Sequence, residues 1–248
     1  MSRLDDVKQD EPVVPVDLSR KRKAYIAFIV DESGSMSSGR EATMRGMNEQ
    51  IQMIKTQFKD STDVEPIVSV IKFNQTVNPM CVNKTLNDLI EFTEKSYQPN
   101  GMTAMYDAVG YMLNQFEISD GINDDDTTVL MVVVSDGEEN SSKEHTSEKI
   151  SERIKTWNET KRWTITYLGA NQDLTVVSQK TNIHSGNTMS FDSTNNSTYS
   201  LAFAVQTKGM SNYLSNISSS KYKVAACTTD FYAEPKNEPE INSTTGKV

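Results

Sequence analysis

Two continuously apolar segments, each ending in an aspartate, limit the folds that are open to this chain of 248 residues. The first is AYIAFIVD at residues 24–31, and the second is TTVLMVVVSD at residues 127–136. A strand with one face in water alternates apolar and polar residues, whereas a strand covered on both faces is apolar throughout. The two segments therefore predict central strands of a sheet that is covered on both faces.

Predicted strands and helices alternate along the middle of the chain. Further strands are predicted over 66–74, 76–82, 163–169 and 187–191, and helices up to about Phe58, over 86–97, over 104–118, around 150–157, from Leu174, and over about 194–217. Such alternation is typical of a parallel sheet. Pro79 places segment 76–82 at an edge, as the second strand of a hairpin. We therefore predict an α/β fold: a doubly wound, mostly parallel central sheet with one antiparallel edge strand and helices on both faces.

The two ends of the chain differ in composition from its middle. Residues 1–22 are polar and include two prolines, and residues 221–248 end in the segment EPKNEPEINSTTGKV. We expect an N-terminal tail at 1–22 and a mostly flexible C-terminal extension at 221–248, because neither offers enough apolar residues for a packed core. One domain is then predicted over 23–220. The pattern at 222–232 fits either an extra edge strand or an ordered tail.

Charge and apolar content argue against several kinds of partner. A net charge of −9 disfavours nonspecific binding to DNA or to anionic membranes. The basic run at 20–23 is expected to be a solvated lead-in to the first strand. No run approaches the roughly 18 apolar residues of a membrane span, and the N-terminal segment has no apolar region typical of a secretory signal. With Cys81 and Cys227 as its only cysteines, the chain is expected to be cytoplasmic.

The residues DESGS at 31–35 follow the first apolar run, and one hypothesis for them is a phosphate-binding loop. Gly34 and Gly39 are separated by four residues between a strand and a helix, and Asp136 follows the second apolar run, as a magnesium-binding aspartate would. However, Arg40 and Glu41 stand where such a loop requires lysine and Ser or Thr, and a glutamate there would repel phosphate. A nucleotide-binding protein that uses Gly34–Gly39 and Asp136 stays open as an alternative.

A catalytic nucleophile is the second hypothesis for the same loop. Phosphatases that use an aspartyl nucleophile need a second carboxylate two residues later, where this chain has Ser33. A serine hydrolase would need a histidine beside Ser33 or Ser35. The two histidines, His145 and His184, lie in no recognisable motif. We therefore expect that the protein is not an enzyme.

A metal site is the third hypothesis, and it accounts for more residues than the other two. Asp31, Ser33 and Ser35 alternate along the chain, so their oxygens can point toward one place. Asp136 ends the second central strand at the same edge of the sheet, and Thr103 follows in an intervening loop. Oxygen ligands of this kind suit Mg²⁺. Taken singly, Thr103 could be a helix N-cap and Asp136 a turn former.

The metal hypothesis leads to a family resemblance. DESGS, Thr103 in GMTAMYDA, and Asp136 in VSDGEEN resemble the three loops of the metal-ion-dependent adhesion site (MIDAS) of von Willebrand factor A domains. The similarity covers about residues 24–218, and all five ligand positions of the motif are present. The stretch YLGANQD at 167–173 is also similar to one in intracellular bacterial and bacteriophage members of the family.

The resemblance implies a role for each of the five residues. Ser33, Ser35 and Thr103 would contact the metal directly or nearly so, whereas Asp31 and Asp136 would hold it partly through water. The metal would be Mg²⁺, or alternatively Mn²⁺ or Ca²⁺. Because hydroxyl ligands are neutral, two carboxylates balance the charge of the ion and leave its open face able to accept a carboxylate from outside.

The function implied is therefore that of a protein-binding module. The partner would be a protein that presents an Asp or Glu to the metal, such as an AAA+ ATPase or a host complex, with no nucleic acid and no membrane involved. A structural or interaction protein with a vestigial metal site is a further alternative. The acidic residues Glu32, Glu138 and Glu139 near the rim are expected to be solvated loop positions. The sequence leaves the identity of the partner and the oligomeric state open.

Overall fold

A computed structural model describes residues 20–193, 196–219 and 228–232. The strands are β1 (Arg22–Asp31), β2 (Val64–Phe73), β3 (Val77–Lys84), β4 (Thr128–Ser135), β5 (Trp163–Ala170) and β6 (Thr188–Phe191). The α-helices are α1 (Arg40–Phe58), α2 (Met105–Glu117), α3 (Ser147–Glu159), α4 (Leu174–Thr181) and α5 (Asn196–Ser219). A short 3-10 turn, Gly34–Gly39, joins β1 to α1.

The six strands form one sheet in the order β3-β2-β1-β4-β5-β6. All neighbouring pairs are parallel except β2 and β3, which are antiparallel. The edge position of β3 agrees with the presence of Pro79, because proline has no backbone N–H and cannot donate the hydrogen bond that a central strand needs. The predicted fold class, a doubly wound and mostly parallel sheet with one antiparallel edge strand, is confirmed.

Both faces of the sheet are covered, because successive residues of each strand point to opposite sides. On one face, residues of β1 such as Phe28 and Val30 pack with α1 and α5. On the other face, Ala27 and Ile29 pack with α2, α3 and α4. Burial on both faces explains why β1 and β4 read as continuous apolar runs.

The strand order reverses between β1 and β4, which places their carboxyl ends side by side. The two strands run parallel in register, with Val30 opposite Val134. Asp31 therefore ends β1 next to Ser135, the last residue of β4. Such a reversal leaves a crevice at the carboxyl ends of the strands, where ligands bind in open α/β sheets.

The helix predicted over 86–97 is wrong, since only Leu86–Asp88 forms a 3-10 turn there. The backbone of Phe92 is held instead by the side chain of Asn48 on α1, which donates to Phe92 O at 2.9 Å and accepts from Phe92 N at 2.7 Å. Phe92 and Tyr97 are buried in the core. The hydrogen bonds to Asn48 satisfy the backbone polar groups of Phe92 without a helix. The segment has an irregular backbone, yet its side chains Phe92 and Tyr97 reach the core.

The C-terminal part of the described chain closes over β5, β6 and α5. Phe231 is buried, and its N–H donates to Asn187 Oδ1 at 2.9 Å, while Asn187 Nδ2 donates to Thr228 O at 2.7 Å. Residues 228–232 form a turn, not a strand. Residues 222–227, the rest of the segment for which an extra edge strand or an ordered tail was considered, lie outside the described residues. The tails at 1–22 and 221–248 lie mostly outside them as well, so the domain limits stay a prediction.

Helices α1 and α5 approach closely where α1 carries a glycine. A Cβ atom on Gly46 would lie 2.3 Å from Cγ of Phe203 on α5. None of the helices within 20–193 and 196–219 is both long and apolar enough to cross a membrane.

Replacing Gly46 with alanine should destabilise the protein, although alanine is the better helix former by about 1 kcal/mol. The added methyl group would overlap the ring of Phe203, and overpacking of this kind costs about 1–3 kcal/mol. We expect a net loss of up to about 2 kcal/mol in the free energy of unfolding, measured by urea denaturation. A gain of about 1 kcal/mol, the helix-propensity effect alone, would show that the two helices are not in contact at this position.

Candidate metal centre

Asp31 lies at the bottom of the crevice and is fully buried. Its carboxylate accepts two hydrogen bonds, from Ser33 N to Oδ1 at 2.7 Å and from Ser135 Oγ to Oδ2 at 2.6 Å. Its backbone oxygen accepts from the hydroxyl of the buried Tyr97 at 2.6 Å. The orientation of Asp31 is therefore fixed by partners on three different segments.

Three hydroxyl groups lie close to one point beside Gly137. The position that a Cβ atom on Gly137 would occupy is 2.9 Å from Thr103 Oγ1, 3.4 Å from Ser35 Oγ and 3.7 Å from Ser33 Oγ. Ser33 Oγ and Ser35 Oγ are 3.0 Å apart. The structure thus brings together hydroxyls from two loops, 33–35 and the segment before α2. A side chain at position 137 would fill the space between them.

Asp136 faces the same space from the end of β4. Its Oδ1 accepts from Ser35 Oγ at 2.5 Å, and its Oδ2 accepts from the hydroxyl of Tyr199 on α5 at 2.6 Å. The turn after β4 is held by a different residue, because Ser135 Oγ accepts a hydrogen bond from Gly137 N at 3.3 Å. The carboxylate of Asp136 is therefore directed into the site and does not form the turn.

Thr103 is not the N-cap of α2. The cap position is Ala104, which makes no side-chain cap hydrogen bond. Thr103 is only 3% exposed, and its Oγ1 lies 2.9 Å from the position that a Cβ atom on Gly137 would occupy. A hydroxyl that faces this space and does not cap the helix is available to a ligand.

The donor set decides which ions would fit this site. Among residues 20–193, 196–219 and 228–232, no group of three or more His, Cys, Asp or Glu side chains could hold a metal ion. A cation here would depend on three hydroxyls and two carboxylates, which are hard oxygen donors. Such donors match Mg²⁺, Mn²⁺ or Ca²⁺, whereas zinc sites are usually built from nitrogen and sulfur.

Burial raises the pKa of Asp31 from 3.8 to about 6. The hydrogen bonds from Ser135 and Ser33 lower this pKa in part, and the nearby charge of Asp136 raises it further. A buried carboxylate held beside a second carboxylate is unfavourable without a compensating positive charge. The two neighbouring carboxylates therefore lower the stability of the folded protein when no cation is bound.

Replacing Asp31 with asparagine should stabilise the protein in EDTA near neutral pH. The pKa of Asp31 is about 6 in the folded state and 3.8 in the unfolded state, so protonation of its carboxyl group stabilises the folded state. This stabilisation is fully present below pH 3.8 and is lost as the pH rises through about 6. A shift of this size corresponds to at most about 3 kcal/mol. Urea denaturation at several pH values should show Asp31→Asn more stable at neutral pH, with the difference vanishing in acid. A variant that is less stable at neutral pH in EDTA would contradict the expectation, and Asp60→Asn on the exposed surface is the control.

The expectation that Glu32 and Glu139 are solvated is wrong. Glu32 is 5% exposed, and its carboxylate accepts from Lys72 Nζ at 2.8 Å and from Gln98 N at 2.6 Å. Glu139 is partly buried and accepts from Tyr106 N at 3.0 Å. Both carboxylates are compensated by long-range partners, which sequence spacing does not reveal. Glu138 is exposed, as expected.

The residues of the phosphate-loop hypothesis have other partners. The guanidinium of Arg40 donates to the backbone oxygens of Tyr97 at 3.0 Å and of Glu94 at 2.5 Å. A Cβ atom on Gly39 would lie 2.3 Å from the ring of Tyr199, so close packing requires this glycine. The spacing of Gly34 and Gly39 is therefore explained without a phosphate.

The two histidines are placed away from the serine hydroxyls. His145 lies against Gly110 on α2, with its Nδ1 3.6 Å from Asp107 Oδ1, and His184 is exposed before β6. In the described residues neither histidine is hydrogen-bonded to Ser33 or Ser35. Among the residues that the structure describes, Ser33 and Ser35 therefore have no histidine partner of the kind that nucleophilic catalysis needs.

Comparison with known proteins gives one family match. A family model for the von Willebrand factor type A domain matches residues 26–233. No curated protein sequence matches the chain. The family match begins within β1, continues beyond α5, and includes all five candidate ligands.

Solved structures share the fold at low sequence identity. Proximal thread matrix protein 1 from the mussel byssus, with a zinc-occupied MIDAS motif, is 14% identical with a TM-score of 0.55, over 79% of this chain and 48% of that chain. The PilB minor pilin from Streptococcus sanguinis is 13% identical with a TM-score of 0.50, over 81% of this chain and 64% of that chain. The chain thus spans about half the length of the mussel protein. At these identities the likeness shows the fold alone.

Proposed function

Because this chain belongs to the von Willebrand factor type A domain family, we propose that it is a non-enzymatic protein-binding module that depends on a divalent cation. The observation that carries the proposal is the convergence of three hydroxyls, from Ser33, Ser35 and Thr103, on one point beside two carboxylates. The five side chains come from three separate loops, so hydrogen bonding within any one loop does not explain their convergence.

The five side chains would hold the cation in two ways. Ser33, Ser35 and Thr103 would provide neutral oxygens, and Asp31 and Asp136 would provide the balancing charge. When bound, the cation would supply an electron-poor position for an Asp or Glu carboxylate of a partner protein. Tyr199 holds Asp136 through its hydroxyl, and Ser135 holds Asp31, so both carboxylates keep their orientation before a cation arrives.

The choice of cation follows from the ligands. The mussel protein with the same fold has zinc in its MIDAS motif, which supports a divalent ion at the corresponding place. In this chain all five candidate ligands are oxygens, and we therefore propose Mg²⁺, with Mn²⁺ or Ca²⁺ as alternatives. The complete MIDAS motif and an intracellular bacterial or bacteriophage type of domain are part of the same proposal.

The partner is proposed by its chemistry. It is a cytoplasmic protein with an exposed Asp or Glu, and an AAA+ ATPase or a host complex would satisfy this description. The absence of a serine–histidine pair among the described residues supports a binding role over a hydrolytic one. A vestigial metal site predicts that partner binding survives removal of the cation.

A metal-dependent pull-down tests this function. The immobilised protein is incubated with lysate in Mg²⁺ or in EDTA, and wild type is compared with Ser33→Ala. We expect partners that are retained only with Mg²⁺ and intact Ser33. Ser37→Ala is the matched control, because the Ser37 hydroxyl donates to Gly34 O within the same turn and belongs to no proposed ligand set. Partners retained equally in EDTA would overturn the metal-dependent function and favour the vestigial site.

A further inference from the structure

The loop after β4 does more than carry Asp136, because it also determines where Thr103 lies. This loop, residues 137–145, is called the bracing loop. Asn140 Oδ1 accepts from Thr103 N at 3.0 Å, and Thr103 O accepts from Asn140 N at 3.0 Å and from Ser141 N at 3.2 Å. Both backbone polar groups of Thr103 are therefore bonded to the bracing loop. The side-chain hydroxyl of Thr103 is left free to face the site.

The bracing loop also caps the first turn of α2. Glu139 Oε2 accepts from Tyr106 N at 3.0 Å, and Ser142 Oγ accepts from Asp107 N at 3.1 Å. The loop holds Glu139 in place in return, since Ser141 N and Ser142 N both donate to its Oε1 at 2.9 Å and 2.7 Å. The helix N-terminus, which lacks a side-chain cap of its own, is thus capped from a distant part of the chain.

Asp107 completes the connection from the helix side. Its carboxylate accepts from the N–H groups of residues 143, 144 and 145 at 2.8, 2.9 and 2.8 Å. Burial raises the pKa of Asp107, but the three N–H groups outweigh burial and the pKa is lowered overall. The carboxylate is therefore ionised near neutral pH and holds the end of the bracing loop on α2.

We propose that Asn140, supported by Glu139 and Asp107, is a positioning residue of the metal site that fixes Thr103 in reach of the cation. The inference rests on the proposed function, since it assigns the residues that orient one of its ligands. Asp136 and the bracing loop are continuous in sequence, so the same segment that provides one ligand sets the position of another. Residues that orient metal ligands typically affect metal affinity by about 10–100-fold when they are replaced.

The test is the affinity for Mn²⁺, measured by titration calorimetry on the full chain. Asn140→Ala removes the acceptor for Thr103 N, and we expect a dissociation constant about tenfold higher than that of wild type. Asn140→Asp keeps an oxygen in the same place and should recover most of the affinity. Asn87→Ala, an exposed asparagine at the opposite end of the sheet, is the control and should match wild type. Glu139→Gln provides a second variant with an expected loss in the same direction.

A double-variant comparison separates positioning from a general effect on the fold. If Asn140 acts through Thr103, adding Asn140→Ala to Thr103→Ala should cause no further loss of affinity. A wild type that binds Mn²⁺ and an Asn140→Ala variant that binds equally well would overturn the inference and leave the proposed function intact. An additive loss in the double variant would also overturn it. A wild type that does not bind Mn²⁺ would instead contradict the proposed function.

Discussion

Replacing Asp136 with alanine should remove the stabilisation of this protein by Mg²⁺. A ligand that binds only the folded state at 100 times its dissociation constant adds about 2.7 kcal/mol to the free energy of unfolding. Asp136 provides one of two charges in the site, and its oxygens also hold the hydroxyls of Ser35 and Tyr199. We expect wild type to show this gain in urea denaturation with Mg²⁺, and Asp136→Ala to show none.

Matched controls make this result specific. Asp60→Ala removes an exposed carboxylate at the far end of α1 and should keep the full response to Mg²⁺. Ser35→Ala and Ser37→Ala form a second pair, in which the same atom is removed two residues apart and only the first change should weaken the response. An equal gain in stability for wild type and Asp136→Ala would place the ion elsewhere.

Replacing Lys72 with methionine should be among the most destabilising single changes in the described chain. Lys72 Nζ lies 2.8 Å from Glu32 Oε1, and the two side chains are 14% and 6% exposed. Removing one partner of a buried ion pair costs about 3–5 kcal/mol, because an uncompensated charge is left behind. The change should also loosen loop 96–98, since Lys72 donates to Ser96 O and Glu32 accepts from Gln98 N.

The double variant Glu32→Gln with Lys72→Met tests the cause of that loss. It removes the uncompensated charge of Glu32 and keeps a side-chain oxygen that can accept from Gln98 N. The double variant should therefore recover most of the lost stability in urea denaturation. Arg153→Met is the control, because Arg153 pairs with Glu117 in a more exposed position and such pairs contribute at most about 1 kcal/mol. A small loss for Lys72→Met, or no recovery in the double variant, would contradict this account.

The sheet and the five candidate ligands could be predicted because their signals are local or follow from simple topology. The apolar runs that became β1 and β4 are too continuous for strands with an exposed face. Asp31, the last residue of β1, and Asp136, the residue after β4, meet at one edge because the two strands are parallel neighbours. Thr103 is predicted as an oxygen donor from an intervening loop, although its position alone fits a helix N-cap as well, and the family resemblance supports the choice.

Other features depend on contacts between distant segments and left no local signal. The segment around Phe92 has helix-like spacing, yet the side chain of Asn48 holds its backbone in an irregular form. Tyr199 bonds to Asp136 across 63 positions of sequence, and Asn140 bonds to Thr103 across 37. An acidic residue such as Glu139 gives the same sequence signal whether it is solvated or caps a helix. Its role emerges only when the loop and the helix are seen together.

The position of the bound cation is the direct test of the proposed metal site. Crystals grown with Mn²⁺ and measured at the manganese absorption edge would give an anomalous difference map. The proposed function predicts one strong peak between the hydroxyls of Ser33, Ser35 and Thr103 and the carboxylates of Asp31 and Asp136, and no such peak in Asp136→Ala. A map with no peak in that space, or with its strongest peak elsewhere on the protein, would contradict it.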